Sequence, residues 1–212
     1  MNTFEVIHVS KKIKETVILS DINLSLERGG IYGLVGENGS GKTMLIRLLA
    51  GLIKPTEGEF KVDGKKVNIF LNRSFSVGIV IENISLYPDM TGRKNLEYLA
   101  SINKEINNDD IKNALIDVGL DFNDKRKVRK YSLGMKQKLS LAQAFMENPE
   151  LILLDEPTNA LDEQSVLKFH ETIRKHADRG AIIIIASHNK DDIESLCNII
   201  YTVKNKRVEV IV

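Results

Sequence analysis

The sequence predicts an α/β fold: a mixed β-sheet core, an antiparallel β lobe beside it and an inserted α-helical lobe. Three observations lead there. Short β-branched runs alternate with helical stretches, the pattern of a parallel sheet covered on both faces. The outer parts of the chain are β-rich and carry turn residues between alternating strands. The stretch from about 83 to 148 changes to helical periodicity and interrupts the strand pattern. A single domain then accounts for residues 1–212, with a core lobe of about 1–82 and 149–212 and a helical lobe of about 83–148.

The elements follow in order. Segments 4–9 and 18–26 read as strands from their β-branched content and alternation. Ile31–Val35 is a short buried strand, followed by a glycine-rich turn and a helical run over 43–50. Segments 58–63 and 66–70 flank Gly64 and read as a hairpin. Helical spacing appears over 95–102 and 109–118, the second with Asn108 and Asp109 as candidate caps. Then come a strand at 151–154, a helix near 163–177, a strand at 181–186, a helix near 191–196 and a terminal hairpin through 204–206.

Composition narrows the function classes. Thirty basic against 29 acidic residues leave a net charge of +1, which gives no overall pull toward nucleic acid or anionic lipid, so no nucleic-acid partner is expected. The basic run Lys125-Arg126-Lys127-Val128-Arg129-Lys130 reads as a solvated surface segment. A single cysteine, Cys197, excludes an intrachain disulfide, and no Cys/His spacing resembles a zinc site. Cys197 itself reads as a small buried residue. The N-terminus lacks the apolar core of a signal peptide, and the longest apolar runs fall far short of the roughly 20 residues that span a bilayer. The expectation is a soluble, cytoplasmic protein whose only route to a membrane is through a partner.

Two motifs carry chemistry. Gly36-Glu37-Asn38-Gly39-Ser40-Gly41-Lys42-Thr43 fits G-x-x-x-x-G-K-[ST] at every fixed position, with a strand before it and a helix after it. Glycines let the backbone aim successive N–H groups at a β-phosphate, and the helix that follows adds its positive end. The Lys42 ammonium would reach the β/γ oxygens and the Thr43 hydroxyl would ligate Mg²⁺. The second motif is Leu151-Ile152-Leu153-Leu154-Asp155-Glu156, four aliphatic residues ending in two carboxylates. A strand buried on both faces delivers its terminal acids to the carboxyl edge of the sheet, where ligands bind in open α/β folds. Asp155 suits the Mg²⁺ shell, and Glu156 can polarise a water in line with the γ-phosphate.

With these motifs in place, the chain resembles the ATP-binding cassette (ABC) ATPase family from about Phe4 to its C-terminus. The segment that carries the resemblance is Tyr131-Ser132-Leu133-Gly134-Met135, followed by Lys136-Gln137 and a helical run. It is similar to the family signature LSGGQ, in a variant found in bacterial exporter subunits; Leu133 stands for a glycine and Met135 for the glutamine. The resemblance implies a P-loop NTPase core that binds ATP and Mg²⁺ and hydrolyses ATP. It also implies a homodimer, or a pair with a closely related ATPase subunit, in which Ser132 and Gly134 cap the γ-phosphate of ATP held by the other copy. A serine hydroxyl, a glycine N–H and a helix N-terminus facing an anion make physical sense of that role. Asn159-Ala160-Leu161-Asp162 resembles the loop that contacts the opposite monomer. His188, directly after the strand at 181–186, resembles the switch histidine that bonds the γ-phosphate and holds the attacking water.

Departures from the family pattern are local. Aligning 79–88 puts Glu82 where the family carries a glutamine, so Glu82 is expected to sense Mg²⁺ with an altered metal dependence. Where the family stacks adenine on an aromatic ring, this chain has Ile13, which forfeits a stacking contribution of about 1–3 kcal/mol and predicts weak base selectivity. The segment 83–98 is expected to receive a membrane-spanning permease subunit. Its apolar residues Leu86, Tyr87 and Met90 form either that surface or the interior of the helical lobe. Such a partner would place the protein on the inner face of the cell membrane. The Ser132–Met135 variant and Glu82 lean toward export of a drug, peptide or lipid-like substrate. A soluble mechanical ATPase of the same superfamily and a non-hydrolysing nucleotide-binding module are the rival readings. The first normally carries coiled coils or fused cassettes, and the second would not need Lys42, Asp155, Glu156 and His188 together.

Overall fold

The computed structural model describes residues 1–71, 75–81 and 86–211. Glu82 and residues 83–85 of the expected permease segment lie outside the described residues.

In chain order the elements are β1 (Thr3–Ile13), β2 (Thr16–Glu27), β3 (Ile31–Val35), α1 (Lys42–Leu49), β4 (Glu57–Val62), β5 (Lys65–Val67), β6 (Val77–Val80), α2 (Gly92–Asn103), α3 (Asn108–Asp117), α4 (Leu133–Phe145), β7 (Leu151–Asp155), α5 (Glu163–Asp178), β8 (Ile182–Ala186), α6 (Lys190–Leu196), β9 (Ile199–Lys204) and β10 (Arg207–Val210). Among the described residues they build two sheets. A six-stranded sheet runs β10-β9-β3-β8-β7-β6, parallel except for β10. An antiparallel four-stranded sheet runs β2-β1-β4-β5.

Alternation along the central strands divides the core. Leu151 and Leu153 of β7, Ile182 and Ile184 of β8 and Leu34 of β3 face α1 and the antiparallel sheet. There they pack with Leu45, Ile46, Leu48 and Leu49 and with Phe4, Leu26 and Phe60. Ile152 and Leu154, with Ile183 and Ile185, face the other way, onto Leu96, Leu115, Leu139, Phe169 and Ile173 of the helices. A strand that must bury both faces reads as an unbroken aliphatic run, which is why β7 and β8 show no polar alternation.

Some boundaries differ from the expected ones, for local reasons. The cap of α3 is Asn107 rather than Asn108 or Asp109: its side chain accepts from the backbone of Asp109 and Asp110, while Asp110 reaches back to the Asn107 N–H, a full capping box. β5 stops at Val67 because the Asn68 carboxamide oxygen accepts the Phe70 N–H at 3.2 Å and turns the chain. The hairpin turn at Asp63-Gly64 sits where expected, between paired Val62 and Lys65. The basic run 125–130 is a surface segment pinned by one apolar residue. Val128 is buried while Arg126 pairs with Asp124, and Lys127 and Arg129 pair with Asp89.

Candidate functional site

The parallel register fixes the site. β8 lies between β3 and β7, and Ala186 pairs with both Leu34 and Asp155. The chain therefore leaves β3 into the glycine loop, β7 into Glu156 and β8 into Ser187-His188 along one sheet edge. Two backbone bonds tie these exits together: Glu156 N–H to Ala186 O at 2.8 Å and Ser187 N–H to Leu34 O at 3.3 Å.

The glycine loop is built around an open helix end. Gly36 has φ +152° and Gly41 φ +112°; a Cβ at Gly36 would lie 2.6 Å from Val203 O, so no other residue fits there. Gly41 is the N-cap of α1, and no side chain caps it. The first-turn N–H groups of a helix have no intrahelical partner, so this end presents donors and positive potential to the loop. Lys42 is 7% exposed and its ammonium donates to Gly36 O at 2.7 Å and Glu37 O at 3.1 Å, folding back across the loop. Ser40 Oγ is buried and finds no hydrogen-bond partner among the described residues. A buried orphan hydroxyl beside an uncapped helix end and a lysine donating to the loop's own carbonyls fits a polyphosphate.

On the metal side, the Thr43 hydroxyl donates to Asp155 Oδ2 at 2.5 Å, with Asp155 buried. The hydroxyl and carboxylate expected to share a Mg²⁺ ion thus face each other across α1 and β7. This oxygen-only pair suits a hard cation that also keeps water and phosphate ligands.

Glu156 adopts φ +50°, an uncommon backbone for a non-glycine residue next to a functional edge. Its Oε2 lies 2.9 Å from His188 Nδ1, and the Ser187 hydroxyl points at the same oxygen from 3.4 Å. Glu156 is mostly enclosed, whereas the His188 side chain is 64% exposed. A shielded carboxylate with an imidazole at its outer side can hold and polarise a water arriving from solvent.

Ser132 and Gly134 sit at the N-terminus of α4, away from these groups in sequence but tied to the turn after Glu156. Ser132 is the N-cap, accepting from Met135 N at 3.2 Å. Gly134 touches that turn so closely that a Cβ would meet Ala160 O at 2.6 Å, and Gln137 Nε2 donates to Pro157 O at 2.9 Å. Leu133 is 72% exposed. Of the remaining expected residues, Ile13 ends β1 opposite Thr16 and is 46% exposed. Thr16, Val17 and Ile18 line an open cavity of about 650 Å³ together with 36–40 and 202–206. The contribution of 202–206, the end of β9 and the turn that follows it, has no signal in the sequence, since it depends on which strand lies beside β3. Leu86 packs against the core, while Tyr87 stays exposed in an edge-to-face pair with Tyr98 at 5.0 Å.

The chain resembles known proteins along its length. The ABC transporter family profile matches residues 19–159. It is 47% identical over 205 residues to the ABC transporter ATP-binding protein YybJ of Bacillus subtilis (strain 168), covering 97% of this chain and 94% of that protein. It is 37% identical over 196 residues to the bacitracin transport ATP-binding protein BcrA of Enterococcus faecalis, covering 91% of this chain but only 63% of that relative. A solved dimeric ATP-binding cassette in a post-hydrolysis state, bound to ADP and Pi, matches with a TM-score of 0.86 at 25% identity, covering 97% of this chain and 96% of that one.

Proposed function

The chain belongs to the ABC transporter family as an ATP-binding ATPase subunit, and on that premise we propose that it drives export of drug, peptide or lipid-like substrates as a head-to-tail dimer with ATP held between two copies. The observation that carries the reading is the shared sheet edge, where an open phosphate loop, the Thr43–Asp155 pair and the Glu156–His188 pair converge.

In this reading, residues 36–43 cradle the phosphates and Lys42 turns from its loop carbonyls to the β/γ oxygens. Thr43 and Asp155, with Glu82, would hold Mg²⁺, which would supply charge neutralisation for the phosphates. Glu156 accepts a proton from the attacking water, and His188 steadies that water and the γ-phosphate. The opposing copy closes the site with Ser132 and Gly134. The exposed Leu133 supports this closure, because an apolar side chain at a helix tip is left in solvent by one chain alone. Ile13 borders the base, with aliphatic rather than aromatic surface.

The helical lobe meets a membrane-spanning permease through the segment around Tyr87 and Met90, which puts the protein at the cytoplasmic face of the membrane. No helix among the described residues is long and apolar enough to cross a bilayer, so transport needs such a partner in this reading. The likeness to a bacitracin transport protein supports a transport role, and the Ser132–Met135 variant favours export.

The test is Glu156→Gln. ATP binding should persist while turnover falls by about 10²–10⁴-fold, the usual contribution of a positioned general base. Unchanged turnover would remove Glu156 from that role.

A further inference from the structure

Behind the Glu156–His188 pair lies a buried carboxylate that the reaction does not touch. Asp192 is 3% exposed, in the first turn of α6, four residues after His188. Both of its oxygens are taken. The Thr158 hydroxyl donates to Oδ2 at 2.5 Å, and His170 Nε2 of α5 lies 3.0 Å from Oδ1. A carboxylate withdrawn from water is costly unless hydrogen-bonded on both sides, and apolar residues would fill the same space without that cost. What the carboxylate provides is a fixed geometry.

Its partners show which geometry. Thr158 stands two residues after Glu156, across Pro157, whose ring fixes φ. Asp192 stands four residues after His188, on a helix capped by the Asn189 side chain, and the Asn189 N–H is itself bonded to Ser187 Oγ at 3.0 Å. The Thr158–Asp192 bond thus joins the two segments that carry Glu156 and His188. His170 anchors the joint to α5.

We propose that Asp192 is a positioning residue for ATP hydrolysis: through Thr158 it clamps the turn after Glu156 to the helix after His188 and holds those two side chains at working distance. The proposal rests on the reading of Glu156 and His188 as the hydrolytic pair. It predicts an effect on the rate of the chemical step rather than on nucleotide binding, because among the described residues no hydrogen bond joins Thr158, Asp192 or His170 to the loop at 36–43.

The experiment removes the hydroxyl while keeping the shape. In Thr158→Val, kcat should fall about tenfold with KM for ATP and equilibrium nucleotide affinity within twofold of wild type, and Thr158→Ser should restore kcat to within twofold. In a His188→Ala background, Thr158→Val should cost less than twofold more, since the clamp then has no pair to align. An unchanged kcat in Thr158→Val, a parallel rise in KM, or the same tenfold loss with and without His188 would each overturn the proposal. If Thr158→Val does not fold, Thr158→Ala is measured in the same way with the same expectation. Glu156→Gln separates the two levels: loss of turnover there with normal kcat in Thr158→Val rejects the clamp alone, while normal turnover in Glu156→Gln rejects the pair itself.

Discussion

Adding one methyl group at Gly134 puts the junction between α4 and the turn after Glu156 under direct load. Gly134 occupies the first turn of α4, where replacing glycine by alanine ordinarily favours the helix by up to about 1 kcal/mol. Here the new Cβ would sit 2.6 Å from Ala160 O, a backbone atom that cannot swing aside like a side chain. The turn is held by the Gln137 Nε2 bond to Pro157 O at 2.9 Å and by Leu161 N–H to Thr158 O at 3.0 Å, with Ala160 already at φ +71°. Restoring ordinary contact requires helix and turn to part by roughly 0.8 Å, and overpacking of this kind typically costs about 1–3 kcal/mol. Subtracting the propensity gain leaves a net loss near 1 kcal/mol, or a fall in Tm of about 2–4 °C for a domain of this size. Differential scanning calorimetry without nucleotide reads this internal contact separately from any contact with a second copy. The sign decides: a rise in Tm would mean that only helix propensity is at work and would refute the close approach. Turnover should also drop by at least tenfold, since displacements approaching 1 Å at catalytic groups can cost about 10²-fold.

Two further outcomes follow from local chemistry. Burial, helped by the charges of Arg179 and Lys175, pushes the His176 imidazole down from 6.5 to about 4. Its stabilising contribution is therefore complete above pH 6.5 and is lost as the pH falls toward 4, because the unfolded chain takes up the proton first; the full effect is about 3 kcal/mol. Urea unfolding of His176→Leu should lose less stability between pH 7 and pH 4.5 than wild type, and parallel losses would contradict this. The cavity beside the glycine loop is bordered by the aliphatic Val17 and Ile18, and in the proposed reading Ile13, at the end of β1 opposite Thr16, adds aliphatic rather than aromatic surface toward the base. GTP should accordingly turn over within about fivefold of ATP at equal concentration, the stacking contribution of about 1–3 kcal/mol being absent; a hundredfold preference for ATP would contradict this.

The elements that the sequence announced clearly are those whose local chemistry and tertiary role coincide. The aliphatic runs of β7 and β8 must be buried on both faces, and the glycines at 36 and 41 sit at positive φ. Lys42, Thr43, Asp155, Glu156 and His188 come together because parallel strands deliver their C-terminal ends to one edge. Where tertiary or capping choices compete, the reading shifted. Asn107, Asn108 and Asp109 are all acceptable caps, and the Asp110 side chain, closing the box on Asn107, selects among them. The Thr158–Asp192–His170 joint had no signature at all, because it joins three elements distant in sequence. In the sequence Asp192 is simply the second of two adjacent acids, Asp191 and Asp192, in a short helical run. The same holds for the end of β9 and the turn after it, 202–206, whose place in the cavity beside the glycine loop is set by β9 pairing with β3.

The central claim, a composite site with each half from a different copy, is tested most directly by mixing two disabled chains. Lys42→Ala should lack a working phosphate loop but keep Ser132 and Gly134; Ser132→Arg should keep the loop but block the capping helix. Each variant alone should show almost no ATP turnover. Mixed in equal amounts, they can form dimers that pair one intact loop with one intact capping helix, and a clear recovery of turnover, short of the wild-type rate, is the predicted result. A mixture as inactive as its components, with both variants folded, would contradict the composite site.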